Sequence, residues 1–140
     1  MFDPVRITIQ GPSKNALGSA LMESITAQFE AAGGKPVVLT GSGDSFSAGL
    51  DLAEVEALTA PEGEAFLRRL ERLIRTVYLY PGPTCAVVNG HAIAGGCILA
   101  LVCDLRVAVP NDKARIGLNE VALGLRFPPS LLGMIRSRIP

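Results

Sequence analysis

The apolar positions of this chain change period several times, and each change marks an element. Residues 5–9 (Val-Arg-Ile-Thr-Ile) alternate with period two and stop at Gln10-Gly11-Pro12-Ser13, which predicts a strand and a turn. From Gly18 to Ala32 the spacing becomes Leu21, Ile25, Phe29, with Leu17 one step before; this predicts a helix with a single core-facing stripe, closed by Gly33-Gly34. Val37-Val38-Leu39-Thr40 is a continuous apolar run between Pro36 and Gly41 and reads as a strand buried on both faces. A Gly- and Ser-rich loop is expected from Gly41 to Gly49. Asp51 then opens and caps a short helical segment, and Pro61 starts a longer helix that reaches Tyr80 and is broken by Pro81-Gly82-Pro83. Thr84 to Asn89 reads as a buried strand, Gly95-Gly96 leads into an apolar helix ending near Cys103, and 105–109 and 114–117 read as short strands. Pro128 or Pro129 starts the last helix.

Strands alternating with helices, with no linker and no sequence repeat, predict one α/β domain over 1–140. Composition agrees. With 49% hydrophobic residues and 13 basic against 13 acidic side chains, the chain can bury a core, which excludes a disordered protein. The balanced charge also argues against nucleic acid as partner. The Cys85 to Cys103 stretch is interrupted by Asn89, Gly90, His91, Gly95 and Gly96, so a buried strand, turn and helix are expected there and no membrane span. Cys85, Cys97 and Cys103 are odd in number and lack Cys-x-x-Cys spacing, which reads as reduced thiols in a cytoplasmic protein. The single histidine, His91, has no ligand cluster around it, so no metal site is expected; it reads as a hydrogen-bonded core or rim residue.

Several motifs lead to little. Arg68, Arg69, Arg72 and Arg75 read as a solvated helix face, with Glu64–Arg68 and Glu71–Arg75 as i,i+4 pairs. Gly41-Ser42-Gly43-Asp44-Ser45-Phe46 begins like a dinucleotide fingerprint, but Phe46 stands where the last glycine is needed. Ser47-Ala48-Gly49 lacks the first glycine of a nucleophile elbow. More informative are the small residues that follow buried strands at Ala48-Gly49 and Ala94-Gly95-Gly96. They let a ligand approach the main chain, whose N–H groups could serve an oxyanion, or they serve close packing of a turn against a strand.

Four ordered segments carry a resemblance over the whole chain: Asn15-Ala16-Leu17; Phe46-Ser47-Ala48-Gly49-Leu50-Asp51-Leu52; Val88-Asn89-Gly90-His91-Ala92-Ile93-Ala94-Gly95-Gly96-Cys97 with Cys103-Asp104; and Ile116-Gly117-Leu118-Asn119-Glu120-Val121-Ala122-Leu123-Gly124. Together they resemble the enoyl-CoA hydratase/isomerase (crotonase) superfamily. The resemblance implies an α/β, crotonase-like spiral of ββα units and acyl-CoA thioester substrates. It implies no cofactor beyond the substrate's own coenzyme A, and assembly into homotrimers or hexamers. By the same resemblance Ala48 and Gly95 supply the oxyanion-hole N–H groups, and Phe46, Leu50, Asp51, Gly96, Ile98 and Leu123 line the substrate pocket. The resemblance also implies that relatives continue past Glu120 through a C-terminal helical region that closes the pocket and contributes to subunit contacts.

Hydratases of the superfamily carry two catalytic glutamates. At the first of those positions this sequence has Ile98, at the second Glu120. Hydration asks two carboxylates to hold one water, whereas moving a double bond needs one base that removes a proton and returns it two carbons away. The resemblance therefore points to a Δ3,Δ2-enoyl-CoA isomerase with Glu120 as acid/base. Hydratase or other enolate chemistry, and a non-catalytic remnant of the fold, are the alternatives.

Overall fold

A computed structural model describes residues 3–120, 126 and 128–140 of the chain. In order, its elements are β1 (Val5–Ile9), α1 (Pro12–Asn15), α2 (Ser19–Ala32), β2 (Val37–Gly41), β3 (Ser45–Ser47), α3 (Leu52–Ala57), α4 (Ala60–Tyr78), β4 (Thr84–Val88), β5 (His91–Ile93), α5 (Gly95–Leu101), β6 (Leu105–Ala108), β7 (Ile116–Gly117) and α6 (Pro129–Arg136). The strands sort into two sheets, β1-β2-β4-β6 and β3-β5-β7, and every pairing is parallel. After β1 the chain repeats one step: a strand in the larger sheet, a strand in the smaller sheet, then helix. That repetition is a spiral of ββα units, and the expected α/β fold class stands.

The larger sheet is held by the central strand β2, whose Leu39 lies level with Ile7 on one side and Ala86 on the other, all fully buried. Met22, Ile25 and Phe29 of α2 and Phe66, Leu73 and Ile74 of α4 fill the core with them. The stripe on α2 is turned slightly from the expected one, so that Met22 is buried and Leu21 only partly so. Gly33 ends α2 in the left-handed conformation at φ 59°, as the sequence signal predicts. Asp51 caps α3 by accepting from the N–H of Glu54, and Thr59 with Glu62 forms a capping box on α4.

The arginine face of α4 is exposed but not merely solvated. Arg69 and Arg72 pair with Glu23 and Glu30 of α2 at 2.6 and 2.9 Å, and Arg68 with Glu64 at 3.6 Å. Among the described residues Glu71 and Arg75 form no ion pair. Exposed pairs of this kind contribute about 0–1 kcal/mol each, so they trim the α2–α4 packing and do not create it.

Two expectations need correction. The stretch 41–49 is not all loop, because Ser45–Ser47 forms β3, and the expected turn after Asn89 contains β5; both strands are three residues long, too short for a periodic signal. The turn expected at Gln10–Ser13 continues as a tight left-handed one through Asn15, with φ of 51°, 60° and 60° at Ser13, Lys14 and Asn15. The expected strand at 105–109 is present as β6, at the edge of its sheet and with all four of its residues exposed.

The helix α5 is buried from Gly95 through Ala100, consistent with its lack of any polar side chain. Its far end is fixed by Asp104, which accepts from the N–H and hydroxyl of Thr84 at 2.8 and 2.9 Å and pairs with Arg138 at 3.2 Å. Asp104 thus orders the turn into β6. Among the described residues, no helix is long and apolar enough to cross a membrane, and no three His, Cys, Asp or Glu side chains are placed to hold a metal.

Candidate active site

Because β3 and β5 are parallel neighbours, the loops that follow them leave the smaller sheet side by side. Their approach is very close. A Cβ on Gly49 would stand 2.8 Å from the carbonyl oxygen of Ile93 and 3.5 Å from the nitrogen of Gly95, and Gly49 has φ +91°. A Cβ on Gly96 would stand 2.4 Å from the carbonyl oxygen of Ser47. The small residues therefore serve close packing, and that packing brings two stretches of main chain together.

The N–H of Ala48 donates to the carbonyl of Lys14 at 3.0 Å, that of Gly49 to the hydroxyl of Ser47 at 3.2 Å, and that of Asp51 to the carbonyl of Leu17 at 3.1 Å. Ala48 thus does not offer the donor expected of it; its N–H is consumed inside the protein. The amide of Leu50 is left without a hydrogen-bond partner among the described residues, and Leu50 adjoins Gly95, whose added Cβ would lie 3.6 Å from a Leu50 methyl. Gly95 is the first residue of α5, and its N–H likewise finds no partner among the described residues. The residue before it, Ala94, sits at φ 51° and ψ −120°, a conformation that costs an alanine on the order of 1–3 kcal/mol. It is held there by its N–H on the carbonyl of Gly117 and its own carbonyl under the N–H of Ile98, both at 3.0 Å. The amides of Leu50 and Gly95, one from each loop, are thus spare where the two loops meet.

Glu120 follows β7, which pairs with β5 through Ile93 and Gly117. Among the described residues it is the only charged side chain to be buried, at 9% exposure, and its Oε2 has no hydrogen-bond partner there. Its charge is felt at Cys97, two residues beyond Gly95. Burial pushes the Cys97 thiol up to about 11, Glu120 adds to the rise, and Gly117 backbone pulls the other way. Burial likewise takes Cys103 to about 12. Since the thiolate is the nucleophile, native protein treated with iodoacetamide at pH 8 should be labelled first at the half-buried Cys85, and at Cys97 and Cys103 only after denaturation. Peptide mass analysis reads this out; rapid native labelling of Cys97 would contradict its burial.

The remaining expected pocket residues are placed as follows. Phe46 is fully buried in the core, Asp51 is occupied as the α3 cap, and Gly96 is packed on Ser47. Ile98 is 2% exposed on α5, one residue past Cys97. Leu123 lies outside the described residues. His91 accepts the N–H of Arg115 on its Nδ1 at 3.1 Å, the rim role its surroundings suggest. Surface clefts of about 350 and 230 Å³ lie elsewhere, along α2 and α4, and share no residue with this site.

Comparison with known proteins bears on this arrangement. A family model described as enoyl-CoA hydratase/isomerase matches residues 5–139. The chain is 41% identical over 139 residues to a Thermus thermophilus protein named for enoyl-CoA hydratase, covering 97% of this chain and 52% of that protein. It is 38% identical over 106 residues to the crotonyl-CoA hydratase of Syntrophomonas wolfei, covering 75% of this chain and 40% of that one. Among solved structures, an enoyl-CoA hydratase/carnithine racemase from Magnetospirillum magneticum superposes with a TM-score of 0.82 at 26% identity, over 94% of this chain and 52% of that one. The chain thus spans about half the length of the relatives it matches. With the ββα spiral, the paired glycine loops and a family match over nearly every residue, this chain belongs to the enoyl-CoA hydratase/isomerase family.

Proposed function

We propose that this chain acts as an acyl-CoA double-bond isomerase. The reading rests on one observation: the site holds a single buried carboxylate, Glu120, with an unpartnered oxygen, while the α5 position where a second would stand is the buried Ile98. Glu120 removes a C2 proton from a 3-enoyl-CoA. The C2–H electron pair passes into the thioester, giving an enolate whose oxygen is held by the amides of Leu50 and Gly95. Collapse of that enolate moves the double bond to C2–C3 as Glu120 returns the proton to C4, so the base is regenerated and nothing is consumed. One oxyanion donor typically contributes about 2.7–4 kcal/mol to such a transition state. Ile98 contributes by leaving no second carboxylate to hold a water.

A hydratase is the second reading, favoured by the names that the matched relatives bear. A single glutamate can activate water, though without a partner to orient it. The two readings separate on one assay: conversion of trans-3-hexenoyl-CoA to its conjugated 2-enoyl isomer supports isomerisation, and its absence from a folded protein overturns it.

A further inference from the structure

The oxyanion donors of the proposed site are selected by subtraction: Lys14, Ser47 and Leu17 take up the amides of Ala48, Gly49 and Asp51, and Asn15 anchors the strap on which this happens. This side chain is buried, stands at φ +60°, and lies some 30 residues before the loop it controls. Its Nδ2 donates to the carbonyls of Ser42 and Ser45, both at 2.9 Å, and more distantly to that of Phe46 at 3.4 Å. Its Oδ1 accepts the N–H of Gly11 at 3.2 Å and the hydroxyl of Ser42 at 3.0 Å. Its backbone carbonyl accepts the hydroxyl of Ser47 at 2.8 Å, and the oxygen of that hydroxyl accepts the N–H of Gly49. The preceding carbonyl, that of Lys14, takes the N–H of Ala48. Residues 14 and 15 thereby engage the amides of Ala48 and Gly49 and leave Leu50's as the next in line.

We propose that Asn15 is a positioning residue for the first oxyanion donor: its carboxamide web fixes the strap from Ser42 to Gly49 so that the N–H of Leu50, which follows it, faces the reacting carbonyl while those of Ala48 and Gly49 do not. This rests on the reading of the site given above. The chemistry explains the residue type. The position needs a donor for several carbonyls and an acceptor for an N–H and a hydroxyl at once, which a carboxamide supplies and a carboxylate does not. It also needs a left-handed backbone, which asparagine tolerates better than most residues.

The test uses Asn15→Asp, nearly isosteric but unable to donate, and the milder Ser47→Ala, which cuts only the relay from the Asn15 carbonyl to Gly49. Two readouts separate positioning from general support. One is kcat against KM with trans-3-hexenoyl-CoA. The other is the infrared carbonyl stretch of bound butyryl-CoA carrying ¹³C at the thioester, which reports how strongly the donors polarise it. The expected result is a folded protein whose kcat falls at least tenfold for Asn15→Asp and severalfold for Ser47→Ala. KM should stay within about twofold, and the bound carbonyl stretch should move back toward its solution frequency. If Asn15→Asp does not fold, Ser47→Ala decides the matter on the same criteria. Variants that keep both kcat and the wild-type carbonyl shift would overturn the role of Asn15 and leave the site intact. A wild-type protein that leaves the bound carbonyl at its solution frequency would overturn the oxyanion reading itself.

Discussion

Glu120→Gln should lower the turnover of trans-3-hexenoyl-CoA by about 10²–10⁴-fold, the range a general acid/base group contributes. The substitution keeps the size of the side chain and removes its ability to accept a proton. Because Glu120 is buried with one oxygen unpartnered, an amide there is less costly to desolvate than a carboxylate, so the variant should be at least as stable as the parent. KM should change little. Stability can be read by thermal unfolding and activity by the appearance of the conjugated product. Loss of activity together with loss of fold would show Glu120 to be structural, and unchanged activity would remove it from the mechanism.

Gly49→Ala should have the second largest effect. The added methyl meets the Ile93 carbonyl at 2.8 Å and the Ala94 side chain at 3.1 Å, and it must be carried at φ +91°. Neither neighbour is the tip of a flexible side chain, so the loops must part. A cost of about 1–3 kcal/mol in stability is expected, as for other substitutions forced into a sparsely populated conformation. The functional cost should be larger. Parting the loops separates the Leu50 and Gly95 amides, and losing an oxyanion donor typically removes about 10²–10³-fold in kcat. Gly43→Ala is the comparison: its φ is +69°, so it carries a similar backbone penalty, but its Cβ meets no atom within 4 Å. It should lose stability while keeping kcat. Equal losses of kcat in both variants would mean that backbone strain, and not separation of the donors, is being measured.

These outcomes depend on features that were unequally legible in the sequence. The major strands and helices are written in local periodicity and punctuation: Leu39 and its neighbours in β2, the Gly33 cap, and the Thr59–Glu62 box on α4 all depend on residues within a few positions of one another. The family resemblance carried by the motifs also implied that Ala48-Gly49 and Ala94-Gly95-Gly96 serve one oxyanion hole. Which amide faces outward was not legible. Assigning Ala48 as donor fails because the carbonyl of Lys14, more than 30 residues upstream, takes its N–H, while Ser47, itself held by the Asn15 carbonyl, takes that of Gly49 and the Leu17 carbonyl takes that of Asp51. No local pattern encodes a hydrogen bond of that range. Phe46 shows the same limit: its motif places it beside the site, but β3 turns its side chain into the core. The exposed Leu105 and Val107 of β6 reverse the case, since apolar alternation reports what a strand can bury and not what covers it.

The central claim is that one carboxylate beside two spare amides shifts a double bond and does not add water. It is tested most directly by giving one preparation of the protein trans-3-hexenoyl-CoA and trans-2-hexenoyl-CoA in parallel and comparing the two values of kcat/KM. The expected result is isomerisation of the first at least tenfold faster than hydration of the second. Hydration at an equal or greater rate would contradict it and establish that Ile98 does not decide the reaction.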